Sequence, residues 1–524
     1  MSGRASIVMT SKKITLVILL AILLLAAFFR LYRIGDYLNF LGDEGRDVMV
    51  VRNILHGDLT FLGPRSSAGD FYLGPVYYYL MAPFLFLSNY HPVGPAIMVA
   101  LFSIATVYLI YRIGREFFSK NAGLIAAILY SISPLVIIHS RSSWNPNVMP
   151  FFSIAALYSA NIGIERKNFY LLGLSGVLLG IAMQLHYLTI FLGGVLFFYI
   201  LFIEILSKEK SNKLFELFKQ YITVFAGFIL GFSPFLLFEL KHGFPNTRTI
   251  LNFIFSSGDV SVGGKFSEII RDVFFRSFGR LVTAYPPPET VSIIEQPPIA
   301  VWYYLTLILA FSTLILIFYQ IVQKLREKSE FRGLLLIILW FGFGVLFFGL
   351  YKKPIYDYLF AFMFPAPFLL TGNLLGYLIE RKKVFAAVSI ISIISLVAIN
   401  LIYSPLRKLP NYQYEQVKMI SEFILDKAGD KPFNFALITG GNSDHAYRYI
   451  FEIRRKKPVT IQIPEVDPER KTITDQLFIV CEEIPCNPVG HPLWEVAGFG
   501  RGEIAGEWQV SVLKVYKLVH YKGD

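Results

Sequence analysis

The sequence predicts a polytopic α-helical membrane protein that carries a soluble α/β domain at its C-terminal end. Three observations lead there. The 524 residues are 55% hydrophobic and 16% charged, with a mean hydropathy of +0.54. Soluble domains carry roughly 25% charged residues. Eleven apolar runs approach or exceed the length of about 20 residues that a helix needs to cross a bilayer. After Tyr403 the composition becomes that of a soluble domain, and from Pro405 onward 16 Lys and Arg balance 16 Asp and Glu. The net charge of +12 therefore lies entirely in the membrane part, which removes the argument for nucleic acid as a partner. Two cysteines exclude a disulfide-rich scaffold.

The apolar runs cover residues 14–29, 93–111, 122–139, 148–164, 169–185, 189–206, 221–240, 299–322, 333–350, 356–378 and 384–403. The first lacks a small-residue cleavage site and is read as a retained helix. Residues 71–88 form a twelfth candidate, and charge parity decides it. If this stretch does not cross and the N-terminus is inside, the basic loops at Arg112/Arg115/Lys120, Arg166/Lys167, Lys208–Lys219, Lys324–Arg332 and Arg381–Lys383 all lie inside, as the positive-inside rule asks. If it crosses, all five move outside. Its aromatic residues, Phe71, Tyr72 and Tyr77 to Tyr79, suit the interface, and Pro83 suits a broken helix. The expectation is eleven crossings, a surface helix at 71–88, and a C-terminal domain outside the cytoplasm. The two domains are 1–403 and 404–524.

Within the first outer loop, a helix opened by Asp43 as N-cap stops near His56-Gly57. Val48, Val51, Ile54 and Leu55 share a face expected to lie on the membrane. A second large outer loop, 241–298, holds an amphipathic helix over 265–285, with Arg276 and Arg280 one turn apart. Both arginines read either as lipid-phosphate ligands or as a solvated face. The C-terminal domain has expected helices at 414–427 and 444–455. Its strands are expected at 433–439, 459–463, 477–481 and 509–518.

The stretch from Asn39 to Asp47 carries the chemistry most plainly. Adjacent carboxylates just past a membrane helix are costly near lipid unless they serve something. Asp43 and Glu44 project about 100° apart on a helix, so they divide two tasks rather than share one. The bland alternative is a cap acid followed by a dipole-favoured Glu. Arg46, one turn on, joins the substrate-binding candidates. In the loop Ser140 to Asn147, Asn145 and Asn147 suit sugar hydroxyls and Arg141 suits phosphate, although Asn-Pro-Asn also makes a turn unaided. His186 ends the fifth crossing at the outer face. Lys352, Lys353 and Tyr356 form a basic, aromatic cluster on the outer side, where lysines are unusual, or they snorkel. Cys481 and Cys486 are close enough in sequence to pair or to stay apart as two thiols.

The Gly42-Asp43-Glu44 motif, the helix after it and Gly74-Pro75-Val76-Tyr77-Tyr78-Tyr79 together resemble the C-type (GT-C) glycosyltransferase superfamily. The branch it resembles includes protein O-mannosyltransferases and aminoarabinose transferases. The resemblance runs over about residues 35–150 and rests beyond that on helix order. It implies a GT-C fold and a polyprenyl-phosphate-linked sugar donor, with an extracytoplasmic glycan, lipid or protein as acceptor. It implies Asp43 as the general base of an inverting transfer, with Glu44 as its neighbouring acid. No acid stands between Asn121 and Ile164, where many members of the superfamily place an Asp, so a divalent metal has fewer oxygen ligands than usual here. Two other classes stay open: a transporter of lipid-linked substrates, and a non-catalytic scaffold that binds glycan. Charges at the outer helix ends rather than at the midplane favour the enzyme over the transporter.

Overall fold

The computed structural model describes residues 2–66, 70–207, 212–256, 265–351 and 353–523. The chain forms two compact units. The first comprises Met1–Tyr32, Thr60–Leu80 and Ala96–Leu409. The second comprises Arg33–Leu59, Met81–Pro95 and Pro410–Asp524.

The first unit is a helical membrane domain. Among the described residues, seven helices are long and apolar enough to cross a bilayer: Lys13–Leu31, Val93–Phe117, Asn145–Glu165, Tyr187–Leu206, Lys213–His242, Pro297–Arg326 and Lys383–Ile402. An eighth candidate is the pair Asp357–Met363 and Pro365–Ile379, bent by 61°. Pro365 opens the second member of that pair. Proline carries no N–H to continue the first. Three further apolar runs form the shorter helices Lys120–Ile132, Phe169–Leu185 and Arg332–Phe348. The run 122–139 is not one helix. Ser133 turns extended, and Pro134 starts a separate segment, Pro134–His139. The difficult stretch 71–88 becomes the helix Val76–Leu87, 12 residues with Pro83 inside it. Such a helix rises about 18 Å, well short of a hydrocarbon core of about 30 Å.

Two buried arginines fix the end of the first helix. Arg30 donates to the Ser103 hydroxyl at 2.8 Å and to the Ser131 carbonyl at 2.9 Å. Arg141 donates to the carbonyls of Phe29 and Tyr32, both at 2.8 Å. The last carbonyls of a helix lack intrahelical donors and carry partial negative charge, so a guanidinium there is satisfied and favourable.

The second unit is built on a four-stranded sheet of order β1-β2-β4-β3. Strand β1 (Asn434–Ile438) runs parallel to β2 (Gln476–Cys481), and both are buried along their whole length. Strand β4 (Leu513–His520) is antiparallel to β2 and to β3 (Gly502–Val510). The expected single strand 509–518 is therefore a hairpin. Ser511, at φ +55°, makes the turn that Gly or Asn usually makes. Residues 459–463 are extended but form no strand. Pro458 and Pro464 flank them, and the Gln462 N–H is taken by the Thr472 side chain instead of a neighbouring strand. The expected helices appear as Gln413–Ala428 and His445–Ile453. Cys481 and Cys486 are joined by a disulfide.

The first-loop helix, Gly42–Leu55, belongs to this unit and packs on the helix His445–Ile453. Val48, Val51 and Ile54 are buried there. Their expected place on the membrane is thus corrected. Arg52 ties the two helices together through Glu452 at 3.0 Å. The helix stops as expected, with His56 as C-cap and Gly57 at φ +98°.

Candidate functional site

The acidic helix begins two residues earlier than the sequence suggests. Leu41 is its N-cap and Gly42 its first residue, so Asp43 lies inside the first turn and is not the cap. Two other groups take the capping work. Glu44 folds back so that its Oε2 accepts from the Leu41 N–H at 3.1 Å. The Gly42 N–H donates to Asn442 Oδ1 at 2.9 Å. Asp43 is left available, with its side chain 58% exposed.

Asp43 Oδ1 accepts from Arg46 Nη1 at 2.9 Å. Arg46 also donates through Nε and Nη2 to Asp47 Oδ1, at 3.0 and 2.8 Å. Asp47 is fully buried. The spacing of three residues explains the Asp43–Arg46 contact, because such residues are neighbours on one face. Asp47 holds the guanidinium from the buried side, and Asp43 meets it from the open side. A cation fixed between a buried and an exposed carboxylate can remain at the site when the exposed one exchanges a proton. Nearby, Ser443 Oγ lies 2.7 Å from His445 Nδ1. Burial pushes the His445 imidazole below the ordinary histidine range, Arg46 and Arg448 add to the effect, and Asp444 and Asp43 oppose it.

Glu44 is half-buried, and burial pushes its carboxyl up from 4.5 to about 7, against the backbone N–H bonds that favour the charge. The folded state thus holds the Glu44 proton more tightly than the unfolded chain. Stability from this group is fully present below about pH 4.5 and is lost as pH rises through about 7. Glu44→Gln keeps an acceptor for Leu41 and removes the titration. The parent should therefore lose melting temperature relative to this variant between pH 4.5 and 7. Parallel curves for the two proteins across that window would contradict the burial of Glu44.

The first unit brings together several other residues named from sequence. Tyr77 of the Gly74-Pro75-Val76-Tyr77 motif shares a 2.9 Å hydrogen bond with Ser143. Gln184, on the last turn of the helix Phe169–Leu185, accepts from the Val76 N–H at 3.3 Å and donates to the Gly231 carbonyl at 2.6 Å. Asn145 donates to the Leu185 carbonyl at 2.6 Å, and Asn147 to the Ser142 carbonyl at 2.9 Å. Asn147 thus spends a donor on its own loop, and Asn145 spends one on the end of the helix Phe169–Leu185. His186 is buried, stacks on Tyr187 at 4.5 Å, and accepts from the Leu188 N–H through Nδ1. Tyr187 meets Tyr351 at 2.9 Å between hydroxyls, and Trp144 meets Tyr358 edge-on at 4.5 Å. Asn145, Asn147, His186 and the segment after Tyr351 thus share one aromatic-lined region. Tyr356 is exposed and stacked on Tyr358 at 5.9 Å. Lys353 lies on the same segment and is partly buried, whereas Lys352 falls outside the described residues. Arg141 stands apart, as the clamp on the first helix described above.

Arg276 and Arg280 are not a solvated face. Arg276 contacts Asp272, Glu289 and Asp357, and Arg280 contacts Asp357 at 2.9 Å and the Tyr285 carbonyl at 2.7 Å. Sequence reading gave no partner role to these acids, nor to Asp47, Asn442, Ser443 and His445. The Arg46-Asp47 adjacency was a readable signal for one of them. Asp272, four residues before Arg276, was another, whereas Asn442, Ser443 and His445 lie about 400 positions from the acidic helix and nothing local marks them.

No group of three or more His, Cys, Asp or Glu side chains suited to hold a metal occurs among the described residues. The carboxamides of Asn145 and Asn147, each engaged with a carbonyl, are a poor donor set for a divalent ion. No chemical step is assigned to a metal.

A family model described as dolichyl-phosphate-mannose-protein mannosyltransferase matches residues 73–238. Comparison with curated proteins gives no match. Among solved structures, the chain is similar to ArnT from Cupriavidus metallidurans bound to undecaprenyl phosphate. The TM-score is 0.61 at 13% identity, over 96% of this chain and 97% of that one. It is also similar to the oligosaccharyltransferase AglB from Archaeoglobus fulgidus in complex with an inhibitory peptide and a dolichol-phosphate. There the TM-score is 0.52 at 13% identity, over 90% and 69% of the two chains. With seven helices long and apolar enough to cross a bilayer among the described residues, an eighth candidate in the bent pair and a small C-terminal sheet, this is a multi-pass membrane protein with the fold of the GT-C glycosyltransferase superfamily.

Proposed function

We propose that the protein transfers a sugar from a polyprenyl-phosphate carrier to an acceptor outside the cytoplasm, with inversion at the anomeric carbon and Asp43 as general base. The observation that carries this reading is the exposed Asp43 carboxylate on a helix whose capping is done by other groups, with Arg46 fixed beside it. The acceptor hydroxyl gives its proton to Asp43 as its oxygen attacks the anomeric carbon. The bond from that carbon to the phosphate oxygen breaks, and polyprenyl phosphate leaves with the electron pair. A base placed on the acceptor side and a single displacement give inversion. Cationic side chains meet the growing phosphate charge. The candidates are Arg46, Lys352 and Lys353.

Two observations support the outer location of the reaction. The short helix Val76–Leu87 agrees with a non-crossing segment, and the Cys481–Cys486 disulfide agrees with an oxidising compartment for the C-terminal domain. Nucleotide sugars are cytoplasmic, so a lipid-linked donor is the one that fits. A second assignment of the base rests on burial, which pushes the Glu44 carboxyl up to about 7, where a general base works best. Its geometry argues otherwise, since it is folded onto Leu41. Transfer rates of Asp43→Asn and Glu44→Gln, measured side by side, decide between them. The larger loss should fall on Asp43→Asn, and the reverse order would move the base to Glu44.

The lysine assignment has its own test. Lys352→Gln with Lys353→Gln should weaken donor binding by roughly 10-fold or more, as expected for two lost charge-assisted contacts. Melting temperature should hold. Parental donor affinity in the double variant would leave the two lysines as interfacial anchors.

A further inference from the structure

We infer that the C-terminal domain positions the acidic helix through one carboxamide, Asn442, and that Glu482 sets that carboxamide's orientation. This rests on the reading of Asp43 as the reacting carboxylate. The parallel strands β1 and β2 end side by side at Ile438 and Cys481. The Glu482 N–H continues their pairing to the Ile438 carbonyl at 2.9 Å. In parallel sheets the crevice at the carboxyl ends of the strands is where functional groups gather. Here that end carries the loop Thr439 to Ser443 and the Glu482 side chain, and the acidic helix docks on it.

The hydrogen bonds form a directed chain. Glu482 accepts from Thr439 Oγ1 at 2.8 Å and from Asn442 Nδ2 at 3.2 Å to each carboxylate oxygen. An ionised carboxylate only accepts, so it draws the NH₂ side of Asn442 toward itself. Oδ1 must then face the other way. It accepts from the Gly42 N–H at 2.9 Å and from the Ser443 N–H at 2.8 Å. Sterics fix the same register. A Cβ on Gly42 would lie 1.9 Å from Ser443 Oγ, and one on Gly45 would lie 2.4 Å from the Ala446 backbone nitrogen. The two glycines flanking Asp43 and Glu44 are thus seats that only a bare backbone fits. Asn442 and Glu482 touch no reacting atom in this account; they are positioning residues. Their effect reaches the chemistry through the placement of the first helical turn.

The test combines turnover with amide hydrogen exchange on the full-length protein in detergent or nanodiscs. Asn442→Ala should lower kcat on the order of 10²-fold, as expected for a misplacement of about 1 Å. KM for the polyprenyl-phosphate sugar should stay near the parental value. Exchange across residues 41–47 should accelerate. Asn442→Asp alone sets two carboxylates face to face and should be impaired as well. Combined with Glu482→Gln it regains a donor–acceptor pair of reversed polarity, and both kcat and exchange protection should recover. That recovery would not follow from a generally damaged fold. Parental kcat in Asn442→Ala despite accelerated exchange would overturn the inference, and so would an impaired double variant with restored protection. If Asn442→Ala fails to fold, the Asn442→Asp pair of variants decides alone. Asp43→Asn, assayed in parallel, judges the underlying reading separately: its retained turnover would remove Asp43 as the base, while the exchange data would still report whether Asn442 seats the helix.

Discussion

Asp43→Asn is expected to lose transfer by on the order of 10² to 10⁴, the range for a missing general base, while the protein folds and binds donor as before. The structure makes the stability half of this expectation sharper than the sequence could. Had Asp43 been the N-cap, its substitution would have tested the cap together with the chemistry. Glu44 and Asn442 do the capping instead. What Asp43 contributes to the fold is an ion pair with Arg46 at 2.9 Å, on a side chain 58% exposed. Exposed pairs three residues apart are worth about 0.2 to 0.5 kcal/mol. Arg46 keeps its second partner, the buried Asp47, in the variant. A collapse of stability in Asp43→Asn would contradict this accounting, and near-parental turnover would return Asp43 to the status of a surface acid.

Asp357→Asn is expected to act in the opposite way, with a large loss of stability. Asp357 is 15% exposed and accepts from Arg276 Nη1 at 3.1 Å and from Arg280 Nε at 2.9 Å. Breaking a buried pair by removing one partner costs about 3 to 5 kcal/mol, because the remaining charge stays buried and uncompensated. Arg276 retains Asp272 and Glu289, so its charge is still met. Among the described residues, Arg280 retains only the Tyr285 carbonyl. The expected cost is therefore about 3 kcal/mol, at the low end of that range. Thermal unfolding of the purified variant measures it. An unchanged melting temperature would show that the arginines find water or lipid phosphate instead.

The membrane helices were legible because long apolar runs have few alternatives to a helix in lipid. Their interruptions were less so. Ser133-Pro134 and Phe364-Pro365 break runs that read as continuous, since hydropathy is blind to a missing N–H. In the sheet, β1 and β2 stood out as short apolar runs, whereas the β3–β4 turn was hidden. Ser511 takes the left-handed conformation without Gly or Asn to announce it. The acidic motif was legible as the start of a helix, and its setting was not. Gly42 and Gly45 stand beside the acids with nothing local to mark their role. Their use, as seats against Ser443 and Ala446, depends on a segment 400 positions away. The same distance explains why Val48, Val51 and Ile54 read as a membrane face when they cover the helix His445–Ile453. Arg141 shows the converse: an arginine in a polar loop reads as a phosphate candidate, and in the fold its guanidinium is bound to the carbonyls of Phe29 and Tyr32.

Reconstitution into vesicles with a lipid-linked sugar labelled in both the sugar and the polyprenyl phosphate tests most directly whether this protein does chemistry. The account predicts that in the presence of envelope acceptors the parent separates the two labels: sugar moves to acceptor, and free polyprenyl phosphate accumulates in equal amount. The Asp43→Asn variant should bind the donor and separate nothing. Intact donor appearing in the opposite leaflet at the same rate in both proteins, with the two labels still joined, would contradict the account and identify a transporter.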